Sequence, residues 1–457
     1  MRVLLFTLVV SLTVSSARGD DLRYLPRADG ALAQYLETIE SAQSTLDLTY
    51  YIWDPCSVVA RVLVRAIEKR IKQNSKLKVR LLLDASLHGE KGRSEITATL
   101  AARGIDVRFY NYANDIRKNM RTHIKFTVAD GRRYISGGRN IADDYFGLSP
   151  SMNWIDRETY VNGPSGAAAA KGFENLWNDR MTRPEKRQAS VAEVKESDEK
   201  CLKADKKVLE VEAYLAANKK ALLAKLPSHS CPNVKMAVDR PDFMEGLVED
   251  GNAQFLSGER LRRKMASHEI LGVIGSADKS LIFENYTYIP TGTVYNQLYQ
   301  HRAQNRTMTF IINEAADEGQ AIMKGPASSY QRQHDRGSQD IVPIPKGRFA
   351  TDDWAMTPGK PAYQIHAKVI TSDEKNAVVS SWNLDPRSLH TNLESAVVVR
   401  DCPSFAATVN GAIKATYGPA MRAFANPQLR YCLEEHRRAN KVDGFQKFLG
   451  WMAHEFL

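Results

Sequence analysis

One string of residues occurs twice in this chain. Residues 122–140 read THIKFTVADGRRYISGGRN and residues 365–383 read IHAKVITSDEKNAVVSSWN, and the two align without a gap. The alignment sets His123 on His366, Lys125 on Lys368, Asp130 on Asp373 and Asn140 on Asn383. A lone His-x-Lys says little in a basic chain with 10 histidines. The full spacing kept in both places says much more, because it requires two segments with the same local structure and so two similar halves. In each copy an apolar, strand-like run (126–129 and 369–371) precedes a turn and a pair of small residues.

The surroundings repeat as well. Residues 29–42 carry Leu32, Tyr35, Leu36 and Ile39 on one helical face, 46–53 alternate as a strand, 58–73 read as a helix and 78–86 as a buried strand. A helix over 94–103 and a strand at 105–111 lead to the first string, and a helix over 163–177 follows it. The second half restarts with a helix over 261–277, a strand LIFENYTYI answering LDLTYYIW, a helix over 292–306 and MTFIIN answering VRLLLD. Strands alternating with helices predict an α/β fold of βαβ type with mixed, mostly parallel sheets.

The duplicated string resembles the HxKx4Dx6G(G/S)xN signature of the phospholipase D superfamily. The stretches NIADDYFG and YIWDPCSVVARVLVRAI resemble bacterial cardiolipin synthases without transmembrane helices. The resemblance implies two pseudo-symmetric α/β halves sharing one active site at a pseudo-two-fold axis. It implies phosphodiester cleavage or transfer through a covalent phosphohistidine, with no cofactor and no metal. One imidazole attacks phosphorus, and the family analogy favours His123. The other donates a proton to the leaving alcohol and then activates the acceptor. Lys125, Lys368, Asn140 and Asn383 would hold the phosphoryl oxygens. Each histidine is expected to have an orienting carboxylate downstream of a motif, at Asp156 and Glu394, with Glu158 competing for the first place. The pairs would be crossed, His123 with Glu394 and His366 with Asp156. Asp130 and Asp373 are structural. The one departure from the signature is Ser380, beside Ser381, where glycine is usual; a serine there would be strained if its φ were positive.

With 457 residues, 43% hydrophobic and 25% charged, the chain has the size and composition of a multidomain globular protein. A net charge of +10 attracts anionic partners, phospholipid headgroups or nucleic acid, without choosing between them. Residues 1–19 have the form of a secretory signal: Arg2, an apolar run from Val3 to Val14, then small residues. The run is too short to span a bilayer. Export to a periplasm or beyond is therefore expected, and disulfides are permitted there. The 5 cysteines lack the CxxC spacing of a zinc site. Proximity in sequence suggests Cys201 with Cys231 and Cys402 with Cys432, leaving Cys56 free and buried.

The expected organisation is a first half over 20–180, a charged helical linker over 181–235, a second half over 236–435 and a basic, aromatic C-terminal helix over 436–457 suited to a lipid interface. A long loop over 325–364, with Tyr330, Trp354 and Tyr363, would form a lid or substrate rim before His366. The expected substrate is a glycerophospholipid met at a membrane surface, with water or a lipid alcohol as acceptor. An exported nuclease of the same superfamily is the alternative.

Overall fold

The computed structural model describes residues 19–111, 120–244, 263–290, 292–313, 340–344, 346–347 and 353–425. Ten strands occupy the first part of the described chain: β1 (Asp20–Leu25), β2 (Thr45–Tyr50), β3 (Lys78–Asp84), β4 (Ile105–Tyr110), β5 (Phe126–Ala129), β6 (Arg133–Gly137), β7 (Met152–Ile155), β8 (Glu158–Asn162), β9 (Thr182–Arg183) and β10 (Ser228–Cys231). Eight follow: β11 (Asn233–Val238), β12 (Ser280–Asn285), β13 (Thr307–Asn313), β14 (Asp340–Ile344), β15 (Ala362–Ile365), β16 (Lys368–Ser372), β17 (Asn376–Ser380) and β18 (Ser395–Arg400). They build one sheet in the order β10-β1-β8-β6-β5-β2-β3-β4-β9 and a second in the order β11-β18-β17-β16-β12-β13-β14. The motif strands are central in both.

The two α/β halves and mixed sheets agree with the sequence reading, but the parallel share is smaller than expected. Only β2-β3-β4 and β12-β13-β14 pair in parallel within the two large sheets. The links β2–β3, β3–β4 and β12–β13 contain the helices Val58–Gln73, Glu90–Ala101 and Gly292–Ala303. The motif strands are joined by tight turns, which force antiparallel pairing.

One apolar cluster fills the first half around Leu46, Leu63 and Leu81, and another fills the second around Ile270, Phe283 and Phe310. A third draws on both halves, with Phe126, Val128 and Phe173 packed among Val369, Val379 and Val397. The two sheets therefore bury their motif hairpins against each other. The helix Gly166–Trp177 of the first half packs on β11, where a Cβ on Gly172 would lie 2.7 Å from Val238. Across the same interface Arg157 pairs with Glu284 at 3.1 Å, and Tyr417 donates to Glu284 at 2.8 Å, so the buried carboxylate is satisfied from both halves.

Four expectations change. The cysteines pair as Cys56–Cys201 and Cys231–Cys402; Cys432 lies outside the described residues. Folding brings together cysteines 145 and 171 positions apart, which proximity in sequence could not indicate. The stretch 181–235 is helical at Val191–Leu202 and Asp205–Ala224, but its end is β10 and the start of β11, one in each large sheet. Of the presumed loop, 340–344 is edge strand β14. Trp354 is buried in the first-half core, its indole donating to the Phe146 carbonyl at 2.9 Å, and Tyr363 is buried as well; neither is a rim residue. Tyr330, residues 1–18 and residues 436–457 lie outside the described residues. No described helix is long and apolar enough to cross a membrane.

Candidate active site

Each repeated string folds as a β-hairpin. At its turn Asp130 and Asp373 take the left-handed backbone, with φ 55° and 53°, a conformation that aspartate tolerates better than most residues. The Asp130 carboxylate accepts from the backbone N–H groups of Gln43, Ser44 and Thr45 at 3.0, 2.7 and 3.2 Å. Asp373 accepts in the same way from Asp278, Lys279 and Ser280 at 2.9, 2.8 and 3.0 Å. These aspartates anchor the start of β2 and β12, at the end of the hairpin away from the histidines.

The histidines enter just before β5 and β16, and each is tied to the opposite half by backbone and side chain together. The His123 N–H donates to the Leu393 carbonyl at 2.8 Å, and His123 Nδ1 lies 3.0 Å from Glu394 Oε2. The His366 N–H donates to the Ile155 carbonyl at 2.8 Å, and His366 Nδ1 lies 2.6 Å from Asp156 Oδ2. Glu158 is elsewhere, accepting from Tyr35 Oη at 2.5 Å with Arg139 at 3.9 Å. Lys125 Nζ donates to the His123 carbonyl at 2.7 Å, and Lys368 Nζ to that of His366. Asn140 Oδ1 accepts from the Ile52 N–H at 3.0 Å, whereas Asn383 faces the cleft and its Oδ1 has no hydrogen-bond partner among the described residues.

The small residues of the signature follow from the carboxylates. A Cβ on Gly138 would sit 2.1 Å from Asp156 Oδ1, so only glycine lets that carboxylate approach. Its counterpart Ser381 instead uses its hydroxyl, which donates to Glu394 Oε2 and accepts from the Ser395 N–H at 2.9 Å. Neither Ser380 nor Ser381 has a positive φ, so the departure from glycine carries no strain.

Burial dominates the electrostatics. It pushes His123 well below the ordinary imidazole value, helped by the Lys125 and Lys368 ammonium groups. Burial and the same two lysines, opposed by Asp156, bring His366 to about 3. Both imidazoles therefore lie within electrostatic reach of both lysines. Burial likewise lowers Lys125 to about 7, against the attraction of Glu394. The two carboxylates differ. Burial lifts Glu394 to about 7 despite Lys125 and Lys264, whereas for Asp156 the His366, Lys368 and Arg139 charges outweigh burial and hold it below the usual carboxylate range.

Sequence reasoning missed the aromatic walls. Tyr51 lies 5.2 Å from the His123 ring and 5.5 Å from Lys125 Nζ. Tyr286 lies 5.6 Å from His366 and 5.5 Å from Lys368 Nζ. Tyr145 and Trp154 add rings 5.0 and 5.5 Å from His366. The signal was available for the first pair, since Tyr51 and Tyr286 each follow the last residue of matching strands β2 and β12. Between the walls opens a cleft lined from both halves, by Tyr51, Arg121 and His123 and by Tyr286, Asn383 and Arg387.

Comparison with known proteins fits this geometry. The chain matches the family described as "Cardiolipin synthase, PLD-like domain" twice, at residues 35–177 and 270–415, each match containing one motif. It is 25% identical over 395 residues to cardiolipin synthase C of Escherichia coli (strain K12), covering 82% of this chain and 80% of that protein. A shorter match, 32% identical over 154 residues and covering 33% of this chain and 31% of the relative, is to cardiolipin synthase 1 of Staphylococcus epidermidis (strain ATCC 12228 / FDA PCI 1200). Among solved structures, phosphatidylserine synthase of Haemophilus influenzae Rd KW20 shares the fold with a TM-score of 0.59 at 13% identity, over 93% of this chain and 95% of that one. With both copies of the motif inside the matched segments, the chain belongs to the phospholipase D-like family of cardiolipin synthase domains.

Proposed function

We propose that the protein transfers or hydrolyses the phosphatidyl group of glycerophospholipids through a covalent phosphohistidine. The observation that carries this reading is the crossed pair of histidine–carboxylate contacts, with both imidazoles under the field of the same two lysines. A carboxylate on Nδ1 fixes the tautomer and leaves Nε2 as the reactive nitrogen. A phosphodiester anion entering between the lysines offsets their field and permits one imidazole to hold a proton. That imidazole protonates the leaving alcohol while the neutral one, assigned as His123 on family analogy, bonds to phosphorus. It then takes the proton of the acceptor, whose oxygen displaces the phosphohistidine. Lys125, Lys368 and Asn383 stabilise the charge on the equatorial oxygens. Similarity to cardiolipin and phosphatidylserine synthases supports a phospholipid substrate. The apolar segment at 3–14 and the two disulfides support an exported protein that meets lipid peripherally.

Mass spectrometry of products from mixed phospholipid vesicles, with and without glycerol, tests the reading. The expected products are phosphatidic acid and, with an alcohol present, a new phosphatidyl alcohol. Cleavage of single-stranded or duplex DNA with intact lipids would replace this reading with a nuclease. The pH dependence supplies a second check. Because Lys125 must be charged to bind the anion and its ammonium is lowered to about 7, kcat/KM is expected to fall about tenfold per pH unit above about pH 7. A profile flat to about pH 9 would remove Lys125 from substrate capture.

A further inference from the structure

The two flanks of the site differ in a way that the pseudo-symmetry does not require. Continuing the alignment of the two strings places Arg121 on Gln364 and Arg387 on Asp144. On the His366 flank the Asp144 carboxylate accepts from the Trp154 indole at 3.0 Å. On the His123 flank two guanidiniums, one from each half, line the same cleft. They lie close enough that Arg121, after burial, is a main cause lowering the Arg387 guanidinium below its ordinary value.

Among the described residues neither guanidinium forms an ion pair with a carboxylate. Arg387 makes no side-chain hydrogen bond or ion pair among the described residues, and Arg121 donates to Tyr51 Oη at 2.6 Å while its buried Nε has no partner. The neighbouring carboxylates are committed elsewhere. Asp84 accepts from the Thr122 and Ser86 N–H groups, both at 2.8 Å, Asp385 accepts from the Ser388 N–H at 2.8 Å, and Glu394 holds His123. Two buried cations elsewhere among the described residues do have a carboxylate, Arg157 with Glu284 at 3.1 Å and Lys264 with Asp239 at 2.8 Å. Two adjacent, part-buried and unmatched guanidiniums are costly unless an anion completes them, and their forked donors suit phosphate or carboxylate.

We propose that Arg121 and Arg387 form a second anion subsite that selects substrates carrying another phosphate or carboxylate besides the phosphodiester that reacts. The proposal rests on the phosphatidyl-transfer reading above and adds a substrate class to it. The second anion is either the phosphate of an acceptor such as phosphatidylglycerol or the carboxylate of a serine headgroup. The subsite favours such partners over water, free glycerol or an ethanolamine headgroup.

The test uses the full chain and the variants R121Q, R387Q, R387K and the R121Q/R387Q double. One arm compares transfer to phosphatidylglycerol with transfer to glycerol, and the other compares hydrolysis of phosphatidylserine with that of phosphatidylethanolamine. The double variant is expected to lose about tenfold to hundredfold in kcat/KM on the anionic member of one arm, mainly through KM, with less than about threefold change on the neutral member. R387K should recover part of the loss. The arm that responds identifies phosphate or carboxylate, and equal losses on both members of both arms overturn the proposal. If the wild type turns over no phospholipid, the functional reading fails separately, and calorimetry with glycerol 3-phosphate decides the subsite. Binding weakened at least about tenfold in the double variant then supports it, and unchanged binding overturns it.

Discussion

Replacing either His123 or His366 with alanine is expected to lower phospholipid turnover by about 10⁴-fold or more, with the circular-dichroism spectrum unchanged. In the proposed mechanism the loss is this large from either side because the two imidazoles perform different halves of one displacement, so neither substitutes for the other. Both residues keep 8% of their surface exposed and belong to none of the apolar clusters, so removing a ring does not unfold the chain. The roles separate with a phosphatidyl ester of p-nitrophenol, whose leaving group needs no proton. If His123 is the nucleophile, H366A forms the phosphohistidine and stalls, whereas H123A forms none. Labelled phosphate on His366 of H123A would reverse the assignment. Near-native turnover by either variant would remove the two-histidine mechanism.

The second large effect is unequal between the two carboxylates. Asp156 Oδ1 accepts from the Arg157 N–H at 2.8 Å while Oδ2 faces His366 Nδ1. In D156N the amide oxygen must stay on that backbone donor, which turns the NH₂ toward Nδ1 and enforces the wrong imidazole tautomer. A loss of about 10³- to 10⁴-fold in kcat is expected. Glu394 is held by the hydroxyls of Ser381 and Ser388, which can accept as well as donate. The side-chain amide of E394Q can therefore present its oxygen to His123 and its NH₂ to a serine. Burial moreover lifts Glu394 to about 7, so its charge is held less firmly than that of Asp156. E394Q is expected to lose only about ten- to hundredfold. Equal losses in D156N and E394Q would show that charge alone, rather than tautomer control, is what the carboxylates supply.

The candidate site residues were legible because they are constrained twice. His123, Lys125 and Asn140 repeat at the same spacing as His366, Lys368 and Asn383, and Asp156 and Glu394 stand where the family resemblance puts carboxylates. The choice between Asp156 and Glu158 was not legible, since a single residue separates them and the strand geometry alone decides which reaches His366. Cys56–Cys201 and Cys231–Cys402 depend on how distant segments stack, which local spacing does not encode. β1 directly follows the leader-like segment and was not read as a strand, although its Leu22 and Tyr24 are fully buried. The edge strand β14 was hidden in a polar, proline-containing stretch that reads as loop. Arg121 and Arg387 left no repeated signal, because the flank they form is the one on which the halves have diverged.

The exchange of carboxylates across the duplication has a consequence for how such a chain can be divided. A fragment ending before β11 keeps His123 but lacks Glu394, and the remainder keeps His366 but lacks Asp156. Neither piece holds a complete reactive imidazole, and neither can cover the apolar face that the other supplies. In the proposed mechanism activity therefore belongs to the joint between the pieces, and separately made fragments would regain it only to the extent that they reassemble.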